Sequence, residues 1–212
     1  MKIAVFGATG SLGKQIVSKA IEQGILVKVL VRNEAKLGEL ASHVEVVTGD
    51  YFDSRAQAET LKGVDAVVST IGPPPVRKGS PSAQKYGDAM VSLVKSMDIQ
   101  GINRIVNVAG ASASFDGESI SLSRKIMRLM MSWMVPEITP AKELEIGVLR
   151  KSSINYTTVR PPVIADKVEG SLKLSDSKTQ GMKVDVSQLA EFMLASIGNS
   201  DWYRRLPFVA TS

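Results

Sequence analysis

Apolar positions along this chain alternate between short unbroken runs and stretches at helical spacing. Residues 3–6 form a continuous apolar run closed at once by Gly7, as a strand buried on both faces would be. Leu12, Ile16, Val17, Ala20 and Ile21 then recur at helical spacing and predict a helix over 12–23, with Gly24 as its C-cap. The same reading predicts strands over 25–31, 44–47, 65–72 and 104–110, and helices over 34–41, 54–62 and 83–100, with Asp53 capping the second helix of these. Thr139 as N-cap and Pro140 at the first helical position open a helix reaching 152. A sixth strand over 156–164 breaks into a proline turn; 170–174 reads as a hairpin arm, 186–198 as a last helix and 206–210 as a closing strand. Strands alternating with helices predict an α/β fold built on a doubly wound parallel sheet, with small C-terminal cap elements. Without a repeat, a low-complexity tract or a linker, residues 1–212 read as a single domain. Residues 111–140 and 162–185 read as cap or lid segments on the substrate side.

The first strand runs into Gly7-Ala8-Thr9-Gly10-Ser11-Leu12-Gly13 and then into the first helix. Strand, glycine turn and helix in that order suit a pyrophosphate, because the helix N-terminus offers unpaired N–H groups and a positive dipole end. Gly7 suits the tight turn, Gly10 the approach of phosphates to the backbone, and Gly13 close packing of helix on strand. The rival reading is a strand-to-helix turn that is merely rich in glycine. A dinucleotide fold places an acid for the ribose 2′-hydroxyl, or an arginine for a 2′-phosphate, about 20 residues past the motif. Here Arg32 stands 19 residues beyond Gly13, with no acid before it in that strand, which favours NADP, and NADPH over NADH. A solvated Arg32, with Asn33 or Glu34 meeting the ribose, is the alternative. Asp50, at the end of the third strand, is placed for the adenine end, or else is an acidic turn residue.

Composition changes this picture mainly by exclusion. The chain of 212 residues has no cysteine and one histidine, His43, at a strand start. Disulfides and thiolate ligands are therefore excluded, no metal site is expected, and a reducing cytoplasmic compartment is the natural expectation. The net charge of +5 is scattered rather than gathered in a stripe with aromatics, so no nucleic acid is expected. Met1-Lys2 leads straight into the first strand, so no secretory leader is expected. No apolar run approaches the ~20 residues of a membrane span.

Two segments stay open. Residues 73–81 carry prolines at 73, 74, 75 and 81 and cannot be helical; they are either a ligand loop or a stiff connection. Residues 121–135 crowd Met127, Met130, Met131, Met134 and Trp133 onto one helix with Arg124, Lys125 and Arg128. That helix reads as a core or cap helix, as an adaptable lid or dimer face that would make the protein a homodimer, or as a basic membrane-surface helix.

GATGSLG at 7–13, Arg32-Asn33, GDYFD at 49–53, LRKSSINYTTVRPPVIAD at 149–166 and VDVSQLAEFMLASI at 184–197 together resemble the atypical short-chain dehydrogenase/reductase group. The likeness is to its NmrA-like and NAD(P)H-flavin reductase (biliverdin-IXβ reductase-like) branch and covers nearly the whole chain. It implies an NAD(P)-binding Rossmann fold in which Gly7, Thr9, Gly10, Ser11, Leu12 and Gly13 hold the pyrophosphate, Arg32-Asn33 the 2′-phosphate end, and Asp50-Tyr51 the adenine. Ile71, Gly72, Ala109 and Gly110 would line the nicotinamide side, with Pro161, Pro162 and Val163 opposite.

The departures from that group narrow the chemistry. Its Tyr-x-x-x-Lys pair donates a proton from the tyrosine. Lys142 matches the lysine, but Ile138 stands four residues earlier and has no proton to give. Tyr86-x-x-x-Met90 and Tyr156-x-x-x-Arg160 do not replace the pair, and Ala109-Gly110 stand where a serine is common. Ser112, with Ser114 behind it, is the candidate substitute. A flavin or quinone-like acceptor suits such a site, since hydride transfer is the cofactor's own chemistry and solvent can supply the second proton. Lys142 would then orient the nicotinamide ribose, or else be a solvated lysine in a first helical turn. The competing class is a non-catalytic NADP(H)-sensing regulator of NmrA type.

Overall fold

The computed structural model describes residues 1–74 and 80–212, so residues 75–79 of the expected proline loop lie outside the described residues. Six parallel strands form the main sheet: β1 (Lys2–Phe6), β2 (Leu26–Val31), β3 (Glu45–Thr48), β4 (Ala66–Ser69), β5 (Arg104–Val108) and β6 (Asn155–Val159). Their order is β3-β2-β1-β4-β5-β6, the doubly wound Rossmann order, which reverses direction between β1 and β4 and opens a crevice at their carboxyl ends. Phe6 pairs with Leu30 on one side and Ser69 on the other, so both neighbours end at the same edge as the glycine turn.

Residues 3–6 are fully buried because both faces of β1 are covered. Ile3 and Val5 pack with α1 (Ser11–Glu22) and α6 (Val186–Ala195) through Ile16, Val17, Leu189 and Met193. Ala4 and Phe6 pack with α2 (Ser54–Leu61) and α3 (Ala83–Ile99) through Leu61, Met90, Leu93 and Met97. α5 (Ile138–Lys151) adds Leu149 to that second layer and lies along α3. Asp53 caps α2 by accepting from Arg55 N–H at 2.9 Å, and Gly24 closes α1 at φ +70°, both as the pattern predicts.

Several boundaries differ from expectation for physical reasons. Residues 34–43 form a 3-10 turn broken at Gly38, whose φ of +62° interrupts any α-helix. Thr139 does not cap α5: Glu137 precedes the helix, and Thr139 is buried in the first turn, donating to Ser112 Oγ at 2.9 Å. The run 156–164 is two strands. β6 ends at Val159, Pro161 and Pro162 supply no N–H to continue the ladder, and β7 (Val163–Ala165) joins a second sheet with β8 (Leu172–Ser175), β9 (Lys183–Asp185) and β10 (Phe208–Thr211) in the order β7-β9-β10-β8. β10 runs antiparallel to β8 and β9, and its N-terminal end meets Arg160, whose N–H donates to the Pro207 carbonyl at 2.8 Å.

α4 (Leu122–Met134) is oriented against expectation for a core helix. It buries Arg124 and leaves Trp133 84% exposed. Among the described residues no helix is long and apolar enough to cross a membrane.

Candidate functional site: a two-chambered crevice at the strand ends

At the N-terminus of α1 the glycines answer different needs. Gly7 has φ +88°, and a Cβ there would lie 2.4 Å from Thr70 Oγ1; a Cβ on Gly13 would lie 2.1 Å from the Gly7 carbonyl oxygen. Both are demanded by the fold itself. Gly10 is not, because a Cβ there would make only an ordinary 3.5 Å contact. Gly10 is exposed, caps α1 with no side chain, and no acidic residue occupies the first turn. The first-turn N–H groups therefore keep their dipole and lack a side-chain acceptor, the condition in which an anion binds. A cradle closed to side chains and open at Gly10 fits a nucleotide pyrophosphate. Ser11 is exposed beside it, while the Leu12 side chain is turned into the core.

Two chambers extend from this turn along the carboxyl ends of the strands. The first, about 210 Å³, is walled by Gly7, Thr9, Arg32, Asp50, Tyr51, Ile71 and Gly72, together with Phe52, Pro74, Pro81 and Tyr86. The second, about 300 Å³, is walled by Ile71, Gly72, Ala109, Gly110, Ser112, Lys142, Pro161 and Pro162, with Met127, Met131, Ile138 and Ile164 completing a mostly apolar lining. Ile71 and Gly72 belong to both, so the chambers meet on a saddle just beyond β4. Gly10, Ser11, Leu12, Gly13, Asn33 and Val163 line neither; Val163 is 59% exposed on β7.

In the first chamber Arg32 is exposed and makes no hydrogen bond or ion pair among the described residues. The Asn33 side-chain oxygen accepts from Ala35 N–H at 3.0 Å. Asp50 is both a turn residue and a wall residue, since its Oδ1 accepts from Phe52 N–H at 2.9 Å. Tyr51 stands edge-on to Phe6 and Phe52, and its hydroxyl is buried without a hydrogen-bond partner among the described residues. Burial, reinforced by the Glu145 carboxylate, pushes that phenol well above its ordinary range.

Lys142 is 2% exposed, not solvated. Its Nζ donates to Glu145 Oε2 at 2.8 Å and to the Ile71 carbonyl oxygen. A Cβ on Gly72 would stand 3.6 Å from Lys142 Cε and 3.4 Å from Ile138 Cδ1, so the lysine stem and the isoleucine lie against the saddle. Burial raises the Glu145 carboxyl above its usual range, with Lys142 pulling it back. Glu145 escaped the sequence reading; its only signal was the i,i+3 spacing from Lys142.

The two candidate serines part company. Ser112 faces the second chamber, its hydroxyl accepting from Thr139 Oγ1. Ser114 donates to Glu143 Oε1 at 2.6 Å and lines a separate hollow of about 380 Å³ beside Arg150 and Lys151. Burial alone would raise the Glu143 carboxyl, but hydrogen bonds from Arg128 and Ser114 hold it below its usual range. Arg124 donates to the Ala111 and Ala113 carbonyls at 3.1 and 2.7 Å, and Arg128 to the Ser112 carbonyl at 2.7 Å. These bonds hang α4 over the loop after β5 and bring Met127 and Met131 to the chamber. Glu118 Oε1 lies 3.2 Å from Arg124 and 2.6 Å from Arg160, two buried guanidiniums, and Arg160 also stacks on Phe208 at 3.9 Å. Tyr156-x-x-x-Arg160 is thus structural. Among the described residues no cluster of His, Cys, Asp and Glu could hold a metal ion.

Comparisons with known proteins agree with this fold. YwnB of Bacillus subtilis, an uncharacterised protein, is 32% identical over 171 residues, covering 78% of this chain and 74% of its own. A ceramide reductase of Caulobacter vibrioides is 27% identical over 166 residues; the match covers 76% of this chain but spans 46% of the reductase. A short-chain dehydrogenase/reductase from Veillonella parvula, solved in complex with NADP, superposes with a TM-score of 0.78 at 14% identity, over 99% of this chain and 94% of its own. The NAD(P)H-binding family profile matches residues 7–200, from the first glycine of the turn to just past α6, and the chain is a member of that NAD(P)H-binding family.

Proposed function

We propose that the protein is an NADPH-dependent reductase of a flat conjugated acceptor, of the flavin or quinone kind, from the NmrA-like and flavin-reductase branch. The observation that carries this reading is the saddle at Ile71 and Gly72. It joins a chamber whose Arg32 guanidinium has no partner among the described residues to an apolar chamber whose matching position holds Ile138 in place of an acid. Bound nicotinamide would supply the hydride. The α1 N-terminus would receive the pyrophosphate, Arg32 the 2′-phosphate, and the Asp50-Tyr51 turn the adenine. Lys142, held by Glu145 and the Ile71 carbonyl, would orient the nicotinamide ribose with Ala109-Gly110. Pro161, Pro162, Met127 and Met131 would flatten and dry the acceptor site, residues 111–140 and 162–185 acting as its lid. Ser112, which lines the second chamber, would polarise an acceptor carbonyl through its hydroxyl. No proton donor is needed where solvent protonates the reduced acceptor.

Turnover separates this from the second reading, a sensor that binds NADP(H) without reaction. That reading is favoured by Lys142 already having two partners. With NADPH bound, adding FMN or a quinone is expected to bleach the reduced nicotinamide band at a saturable rate. Lys142→Ala should slow this by about 10²-fold, the cost of a misplaced reacting group, with NADPH affinity retained. Saturable binding with no acceptor-dependent bleaching would favour the sensor.

Arg32→Ala tests the cofactor assignment. Loss of a charge-assisted contact worth about 1.5–3 kcal/mol should weaken NADPH about 10- to 100-fold while leaving NADH unchanged in the same fluorescence titration. Equal losses for both nucleotides would remove the 2′-phosphate role.

A further inference from the structure

α4 carries an apolar line that the rest of the protein leaves uncovered. Leu122, Ile126, Leu129 and Trp133 are 74%, 54%, 64% and 84% exposed, and Met130 and Met134 flank them at 59% and 65%. Single exposed apolar residues are ordinary, but a contiguous patch of this size marks a contact surface. The helix cannot roll to bury it. Its opposite side holds Arg124 against Glu118 and two carbonyls, Arg128 against Glu143, and Met127 and Met131 in the second chamber.

We propose that this line pairs with the same line on a second copy of the chain, α4 packing on α4 about a twofold axis. Three observations select that occupant. The spacing 122-126-129-133, four-three-four, is the seam of two packed helices, narrower than the broad face a helix turns to its own core. The patch is uncharged and so complementary to itself, as an isologous contact requires. The area these six side chains expose, at most on the order of 800 Å² per copy at these exposures, reaches the share each partner contributes to a standard stable interface. An anionic bilayer is the weaker fit. A surface helix needs a basic polar face, and two of the three cations on α4 are turned inward onto carboxylates, leaving Lys125. The pairing does not depend on the function proposed above.

Sedimentation of the full chain at micromolar concentration tests it. The wild type should show twice the monomer mass. Leu129→Glu and Trp133→Glu, both at exposed positions, should each halve that mass with the far-ultraviolet circular dichroism unchanged. A wild type that stays monomeric overturns the proposal, as does a dimer that survives both substitutions and so uses another surface. Co-sedimentation of a monomer with phosphatidylglycerol vesicles, abolished in Trp133→Glu, would overturn it in favour of a bilayer.

Discussion

Glu118→Ala should destabilise the protein by about 3–5 kcal/mol, the cost of leaving buried charge without its partner. One carboxylate serves two guanidiniums here. Arg124 and Arg160 are 4% and 1% exposed, and Glu118 Oε1 reaches both. The remaining bonds, from Arg124 to the Ala111 and Ala113 carbonyls and from Arg160 to the Leu206 carbonyl, satisfy donors but neutralise nothing. At roughly 2–4 °C per kcal/mol for a chain of this size, the melting temperature should fall by about 10 °C, read by calorimetry. A loss under about 1 kcal/mol, the range of exposed pairs, would mean that water reaches the pair and that the loop after β5 is held by other contacts.

Gly13→Ala should remove nucleotide binding. The added methyl would stand 2.1 Å from the Gly7 oxygen, 2.8 Å from its carbon and 2.9 Å from Ala8 Cα, all backbone atoms that cannot swing aside. The start of α1 must lift from β1, at about 1–3 kcal/mol of strain, and the N–H groups at its N-terminus move with it. Binding of NADPH followed by nicotinamide fluorescence should be lost in a protein that still folds. Gly10→Ala is the control for mechanism. Its methyl clashes with nothing in the protein, so stability should hold while binding weakens, because only an approaching ligand needs that space. Full affinity in both variants would place the nucleotide elsewhere.

The elements legible in the sequence were those whose cause is local. An apolar run closed by glycine is a strand and turn wherever it occurs, so β1, Gly7 and α1 could be read directly, as could the Asp53 cap. The illegible parts depend on distant partners. Residues 156–164 look continuous, but Pro161 and Pro162 divide them between two sheets, and the divide is completed by residues 205–208, far along the chain. Periodicity identified a helix at 121–135 without saying which side turns inward. The decision comes from the carbonyls of Ala111, Ser112 and Ala113, buried acceptors that require donors and draw in Arg124 and Arg128. Lys142 could be read as a solvated lysine in a first helical turn, and Glu145 carried no signal beyond its i,i+3 spacing; only the end of β4 and the face of α3 packed over α5 make them an interior pair.

That inside-out helix answers to salt in two opposing senses. The Arg128–Glu143 pair on its inner side is partly open to water, and dissolved ions screen such a contact. The bare outer line is driven by exclusion from water, which sulfate and phosphate strengthen. Rising concentrations of such salts would therefore weaken that one pair, with the buried Arg124–Glu118 pair screened far less, while pressing the helix's outer side more firmly against whatever it meets.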